Sequence, residues 1–488
     1  MPRPVVVPAL RPAASIDKNG SARAARRARL RFVVAHAAFP YDTFSFTHRA
    51  IETRRVSLGY ALTGKAGAKV TFEETFELPD ALSPLAPVDD LAVSRALLGL
   101  HLAAGTSYWK TCIPRELVVE DASLSDDDAE FWNAVYTLGL GEFFYRNQID
   151  PVGRASFQAA SGSGRSRVPA RPASGPSLLL WGGGKDSVVS HEVLKAAGEP
   201  HELLSIGRTD WEWVRRSAVA ADAPLRVVSR RLDAKLLDMN AAGALNGHVP
   251  VSAVLAAAGT LVALLAGRPA VIASNEASAS HGNAAWRGID VNHQWSKSLE
   301  FERLFRRWLR HNFDGGPDYF SLLRPLSELR IVKAFATHRE YFAAVTSCNA
   351  NFRQSGPAPR RFCLVCPKCV FVSLMARPWL DDAAYHALFG GDALSDPGNL
   401  HFVEELLGAR GTKPFECVGT PDETVAALHL ASTHGRKIPH GIMTTFSGLV
   451  LSRFSDLDAV ASRALTRLTD HELSAKAVTQ LDDYLDRH

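Results

Sequence analysis

A chain of 488 residues, 46% hydrophobic and 22% charged, has the composition of a globular protein of roughly two to four domains. Its net charge of +4 is small for that length and gives no ground for a nucleic-acid or membrane partner. Six cysteines in so long a chain exclude a disulfide scaffold.

Residues 1–32 carry eight Arg or Lys against one acid, Asp17, with no apolar run behind them. A disordered basic tail over 1–29 is expected there, and not a secretory signal. Residues 30–150 read as an N-terminal α/β domain. Arg55–Leu62 and Lys69–Leu78 alternate apolar and polar residues as half-buried strands do. Asp90–Leu102 reads as a helix, and Gly105–Lys110 as a loop dense in polar and aromatic groups. Asp126–Asn147 reads as one helix burying Phe131, Val135, Leu138, Phe143 and Phe144. Pro, Gly, Ser, Ala and Arg dominate 151–176, which marks a linker and a domain boundary.

From Ser177 onward, strand and helix patterns alternate. Strands are predicted at Leu178–Trp181, Glu202–Ile206, Leu225–Ser229 and Ala270–Ser274, with helices at Val188–Ala197, Trp211–Ala221 and Pro250–Ala266 between them. That alternation predicts an α/β fold with a doubly wound parallel sheet over 177–345. Val249–Gly267 carries no charge, but its Ala, Gly, Ser and Thr suit a helix buried against a sheet rather than a membrane span. A cytoplasmic protein is therefore expected. Phe301, Leu304, Phe305 and Trp308 give Ser298–His311 one apolar face, and its arginines read as a solvated one. Residues 346–488 form a Cys-rich C-terminal region with helices.

Ligands of such sheets sit at the carboxyl ends of strands. Gly182-Gly183-Gly184-Lys185-Asp186-Ser187 stands at the first of these ends. Glycines let the backbone approach an oxyanion, and the N–H groups of the next helical turn point at it. Asp186 and Ser187 suit the helix N-cap and can also hold Mg²⁺ or a phosphate. A Walker loop is excluded because Asp186 separates Lys185 from Ser187, and a dinucleotide fingerprint because Ser187 replaces its third glycine. The segment resembles the pyrophosphatase loop, S-G-G-x-D-S, of enzymes that split ATP into AMP and pyrophosphate, with Gly182 in place of the leading serine. An ordinary glycine-rich βα turn is the plainer alternative. After Ala270–Ser274, the amide of Asn275 can read adenine or ribose and the carboxylate of Glu276 can bind Mg²⁺, or Asn275 simply caps a helix.

Cys363-Leu-Val-Cys366-Pro-Lys-Cys369, with Cys348 upstream, suits a closed tetrahedral Zn²⁺ site that pins a loop. An iron–sulfur cluster is less favoured, because a ferredoxin pattern wants a fourth cysteine beyond Cys369 and finds Ser373 near there.

A pyrophosphatase loop followed by a cysteine quartet is similar to the 7-deazaguanine nitrile synthases and tRNA thiolases. Ala104–Lys110, Gly139–Phe143, Asn246–Pro250, Ser274–Asn283, Asn292–Ser298 and Lys413–Thr420, taken with the loop and the quartet, resemble a different family, the ATP-dependent UDP-N-acetylmuramoyl-L-alanyl-L-glutamate epimerases, MurL. The resemblance implies inversion of the terminal L-Glu of UDP-MurNAc-L-Ala-L-Glu in peptidoglycan precursor synthesis, with adenylation of its carboxylate by ATP. It assigns Gly182, Gly183, Gly184 and Ser187 to pyrophosphate, Asp186 and Glu276 to Mg²⁺, and Lys185 or Lys297 to the charge on the phosphates. His248, His281, His293, Glu416 and Cys417 have chemistry suited to moving the α-proton, and Cys417 leads because it lies in a motif of the resemblance. A nucleobase nitrile synthase or thiolase, or a nucleotide-binding module without activity, are the alternatives.

Overall fold

The computed structural model describes residues 41–82, 90–160, 166–171, 173–352, 360–450 and 452–488. The basic tail expected over 1–29 lies outside the described residues. Strands β1 (Tyr41–Glu52), β2 (Arg55–Gly64) and β3 (Lys69–Glu77) form an antiparallel meander, with Phe44, Phe46, Val56, Leu58, Tyr60 and Phe72 buried along it. Helix α1 (Leu91–Trp109) packs on that meander, and its N-terminus is capped by Asp90, whose carboxylate accepts from the N–H groups of Ala92 and Val93.

Gly105–Lys110 is not a loop, because α1 runs on to Trp109. The Thr106 hydroxyl donates to the Ala103 carbonyl at 2.8 Å, and Gly105 lets the helix press on Phe46, where a Cβ would lie 2.4 Å from the ring. Strand β4 (Glu116–Val119) then lies parallel to β1. The single helix expected over 126–147 is two, α2 (Asp126–Thr137) and α3 (Gly141–Asn147). The break falls at Gly139, where a Cβ would meet the Val135 carbonyl at 2.4 Å and Pro250 at 2.9 Å. That break turns Glu142 toward the 246–250 segment.

After the short β5 (Val168–Pro169) come β6 (Ser177–Leu180), α4 (Lys185–Ala196), β7 (His201–Gly207), α5 (Glu212–Ala220) and β8 (Leu225–Arg231). Helices α6 (Ala234–Ala241) and α7 (Val251–Ala266) lead to β9 (Ala270–Ala273) and the hairpin β10–β11 (Ala284–Trp286, Ile289–Val291). Helix α8 (Leu299–Asn312), β12 (Phe313–Asp314) and β13 (Asp318–Ser321) complete the strands. Helices α9 (Glu328–Phe335) and α10 (Pro367–Ala376) open a helical C-terminal region. No helix among the described residues is long and apolar enough to cross a membrane. The uncharged α7 is instead buried, approaching β9 so closely that a Cβ on Gly259 would lie 2.9 Å from Val271.

Nine strands form one mixed, mostly parallel sheet in the order β13-β9-β6-β7-β8-β3-β2-β1-β4. Strands β13 to β8 are parallel, and β3 joins them antiparallel through Thr75–Glu77 opposite Ser229–Arg231. The stretches on either side of 151–176 thus share one sheet. Alternation along the strands feeds two cores, as a period of two requires. Leu178 and Leu204 enter the core built with α1, α7 and α8, while Leu179 and Leu203 enter the one built with α4, α9 and the C-terminal helices. Within the parallel half, chain order runs outward in opposite directions from β6 and β9, so a crevice opens at their carboxyl ends.

Candidate active site

The glycine turn occupies that crevice. Gly183 has φ +72, and a Cβ there would lie 2.9 Å from the Ser217 hydroxyl and 3.0 Å from the Val214 Cα, so only glycine fits the bend. Around Gly182 nothing lies within 4 Å of a Cβ, which leaves room for the serine of the common pattern. Ser187 donates to the Gly184 carbonyl at 2.9 Å and closes the turn.

Behind the turn sits a buried set of acids and lysines. Lys185, 2% exposed, forms ion pairs with Asp186 and Glu328. Glu328, at the start of α9, also accepts from Lys368 at 3.2 Å. Burial would lower the Lys185 ammonium, but Asp186 and Glu328 outweigh it and hold it above its ordinary value. Glu276, buried at the end of β9, is pushed up to about 7 by desolvation, then by the charges of Glu328 and Asp186, against the pull of Lys297 and Lys368. The cations set among these carboxylates are Lys185 and Lys368. Asn275 donates to the Ser321 hydroxyl at 3.0 Å, tying β9 to β13.

Lys297 leads from this pocket to a second cluster. Its ammonium donates to the Cys417 sulfur at 3.4 Å, and that charge also acts on Glu276. The His293 ring acts electrostatically on Cys417, and its Nδ1 donates to Glu142 at 2.5 Å. Burial works to raise the Cys417 thiol, but Lys297 and His293 bring it down to about 5. His293 is disfavoured as a cation by burial, yet Cys417 and Glu142 raise it to about 9. Both shifts favour a thiolate at Cys417 and an imidazolium at His293. His248 packs on His293 with ring centroids 4.5 Å apart, and burial with the His293 charge lowers it to about 3. Cys417, His293 and Lys297 are partly exposed, whereas Glu142 and Glu276 behind them are buried.

The sulfurs of Cys348, Cys363, Cys366 and Cys369 all lie within 4.8 Å of one another, with Cys363 and Cys369 3.8 Å apart. A tetrahedron of thiolates about 2.3 Å from one ion has edges of about 3.8 Å, so the donor set fits a single metal ion. A polynuclear cluster would hold its cysteines farther apart. Residues beside the quartet reach the glycine turn and the pocket behind it. The Thr346 N–H, two residues before Cys348, donates to the Gly183 carbonyl at 3.2 Å, and Lys368 stands between Cys366 and Cys369.

Of the other sequence candidates, His281 lines a cleft of about 260 Å³ with Ser278, Thr420 and Glu423, and its backbone carbonyl accepts from Lys413. Glu416 pairs with the Asn349 amide. Glu142, Glu328, Lys368 and Arg324 went unrecognised in the sequence. Arg324, 1% exposed and paired with Glu302, donates to the Glu276 carbonyl at 2.7 Å and the Lys297 carbonyl at 2.6 Å, so it fixes both loops. Asn283 does the same for the second cluster, accepting from the His293 N–H at 2.9 Å and donating to the Pro414 carbonyl at 2.8 Å. Glu142, the acid within Gly139–Phe143, and Lys368, within the cysteine motif, lay in stretches the sequence singled out.

Two family models match the chain, the MurL N-terminal domain over residues 34–322 and the MurL C-terminal domain over 344–455. The curated UDP-N-acetyl-alpha-D-muramoyl-L-alanyl-L-glutamate epimerase of Salinispora tropica is 41% identical over 393 residues, spanning 80% of this chain and 84% of that protein. The enzymes of the same name from a Micromonospora species and from Xanthomonas oryzae pv. oryzae are 41% and 37% identical, each across 394 residues. They cover 80% and 79% of this chain, and 86% and 85% of their own lengths. No solved structure matches the chain.

Proposed function

This chain belongs to the MurL family, and from that premise we propose that it inverts the terminal L-Glu of UDP-MurNAc-L-Ala-L-Glu at the expense of ATP. The carrying observation is that Lys297 joins two clusters of different chemistry, a carboxylate–lysine pocket under a glycine turn and a thiolate–imidazolium pair. One suits phosphate transfer and the other proton transfer. The relatives' activity favours this reading over a nitrile synthase or thiolase, and we place the reaction in the cytoplasm, where ATP and nucleotide sugars meet.

The α-proton of a glutamate is hard to remove, because the carbanion forms beside a carboxylate. In the proposed reaction a carboxylate oxygen attacks the α-phosphorus of ATP and displaces pyrophosphate. The resulting acyl adenylate has lost the negative charge and can draw the carbanion's electron pair onto its carbonyl oxygen. Gly182, Gly183, Gly184 and Ser187 cradle the departing pyrophosphate, and Lys185 lies beneath it. Asp186 and Glu276 are the residues suited to Mg²⁺, which neutralises phosphate charge when bound. The fold around them is read as a doubly wound pyrophosphatase-loop core, and the cysteine quartet as a structural Zn²⁺ site. Asn275 holds the end of β9 in place. Cys417 takes the α-proton as a thiolate, and Lys297 opposes the charge that builds on the acyl oxygen. Protonation on the opposite face, then hydrolysis, gives D-Glu and AMP.

Purified protein given the nucleotide dipeptide and ATP in D₂O tests this. The expected result is pyrophosphate and AMP release, deuterium at the glutamate Cα, and D-Glu on hydrolysis. ATP cleavage without Cα exchange, or exchange without ATP, overturns it.

A further inference from the structure

Of the histidines and acids around Cys417, one hydrogen-bonded pair, Glu142 and His293, acts on the sulfur through the imidazole. We propose that Glu142 and His293 are positioning residues that hold Cys417 as the proton-abstracting thiolate, so that the N-terminal part of the chain completes the epimerase site. This deepens the reading above and rests on it.

The three residues come from separate segments, and each is anchored. Glu142 opens α3 just after the Gly139 break, and its Oε1 accepts from Arg146 at 2.5 Å while its Oε2 accepts from His293 at 2.5 Å. With Nδ1 bound to a buried carboxylate, the imidazole is fixed in rotation and favoured as a cation. Its backbone N–H is tied to Asn283, and Asn283 also holds the chain at Pro414, three residues before Cys417. The imidazole and the thiol are thus presented to each other by a common amide. A histidine serving only to fill a core needs neither the buried acid behind it nor a cysteine in front.

Cys417 faces His293 and Lys297 directly, with Lys368, Lys413 and Glu416 within electrostatic reach. His293 faces Glu142, His248, Cys417 and Glu416. Three cations therefore oppose the sulfur besides the imidazole, and Glu416 alone works against them. Ligand atoms of Glu142, His248 and His293 also lie within 4.8 Å of one another. Arg146 on Glu142 and Lys297 nearby put positive charge where a metal ion would add more, so the arrangement favours holding a proton. In the step itself the thiolate sulfur takes the α-proton and becomes a thiol, while the electron pair moves to the acyl oxygen. The thiol later gives that proton to solvent, and His293 and Glu142 keep their charges throughout.

The test follows alkylation of the Cys417 peptide by iodoacetamide against pH in the full chain, by mass spectrometry, beside AMP formation and Cα deuterium exchange. In the wild type the alkylation midpoint should lie at least two pH units below that of a free cysteine, about 8.5. Glu142→Gln should raise it by at least one unit, and His293→Asn by more. Cα exchange at pH 7 should fall at least a hundredfold in both, AMP formation by less than tenfold, and Glu142→Asp should restore part of the exchange. If His293→Asn does not fold, the near-isosteric Glu142→Gln decides. A midpoint that stays put in Glu142→Gln overturns the proposal even where exchange falls. Wild-type protein that alkylates as expected but forms no AMP would instead overturn the reading under Proposed function and leave the relay standing.

Discussion

Glu328→Gln is the most demanding test of the buried pocket. Glu328 is 1% exposed, with Lys185 on one oxygen and Lys368 on the other, and its own N–H donates to Glu423 at 2.6 Å. Removing one partner of a buried ion pair costs about 3–5 kcal/mol, because the other charge stays desolvated. Here Asp186 remains on Lys185, and the Glu276 charge still reaches Lys368, which places the loss at the low end, about 3 kcal/mol. With a urea slope of about 3 kcal/mol per molar, the unfolding midpoint should fall by about 1 M. Adding Lys368→Met removes the stranded ammonium, and the double variant should recover at least half of that. Paired urea titrations of wild type, both single variants and the double variant measure the coupling. A loss below about 1 kcal/mol in Glu328→Gln, or strict additivity in the double variant, would refute the view that the pocket is a mutually compensated charge set.

Three further outcomes follow from the same geometry. With burial outweighed and Cys417 held down to about 5 by Lys297 and His293, activity should be lost as pH falls through about 5, where the thiolate protonates, and be kept above it. A kcat/KM profile flat from pH 4 to 10 would contradict this. Gly183→Ala should cut AMP formation at least tenfold, since its Cβ has no room and φ is positive, whereas Gly182→Ser should stay within about threefold. Elemental analysis should find one metal ion per chain, lost in Cys369→Ser. Because Thr346 bonds Gly183, that loss should raise the KM for ATP and speed hydrogen exchange across 345–370.

What was legible in the sequence follows from the range of the forces involved. The strand at Arg55–Leu62 declared itself by alternation, because its two faces meet different surroundings. The strand–glycine–helix unit at Leu178–Ala197 was equally visible, as turn chemistry is local. Gly105–Lys110 misled because the Thr106 hydroxyl satisfies a carbonyl within the helix, as Thr111 does just beyond it, so polarity did not mean a loop. Tyr41–Glu52 was missed, since its burial depends on pairing with β2 and β4 rather than on its own pattern. Glu328 and Arg324 were missed for a stronger reason. A charged residue becomes a site residue only when partners 22 to 143 positions away enclose it, and no spacing along the chain reports that.

The arrangement also explains why the site draws Glu142 from before β6 and Cys417 from beyond β13. In the proposed reaction, adenylation would use the cation-rich pocket at the crevice between β6 and β9, and proton abstraction would need a base aimed at a carbon two bonds from the activated oxygen. A base on the Gly182–Ser187 segment itself would compete with bound phosphates for the same lysines. Bringing Cys417 from beyond the cysteine quartet, and Glu142 from before β6, keeps the thiolate out of the pocket proposed to bind phosphate. Lys297 acts on both, donating to the Cys417 sulfur and opposing the Glu276 charge. Lys297→Met should therefore lower AMP formation and raise the Cys417 alkylation midpoint together, while Glu142→Gln moves only the second. If Lys297→Met altered one and spared the other, the two clusters would not be working as one site.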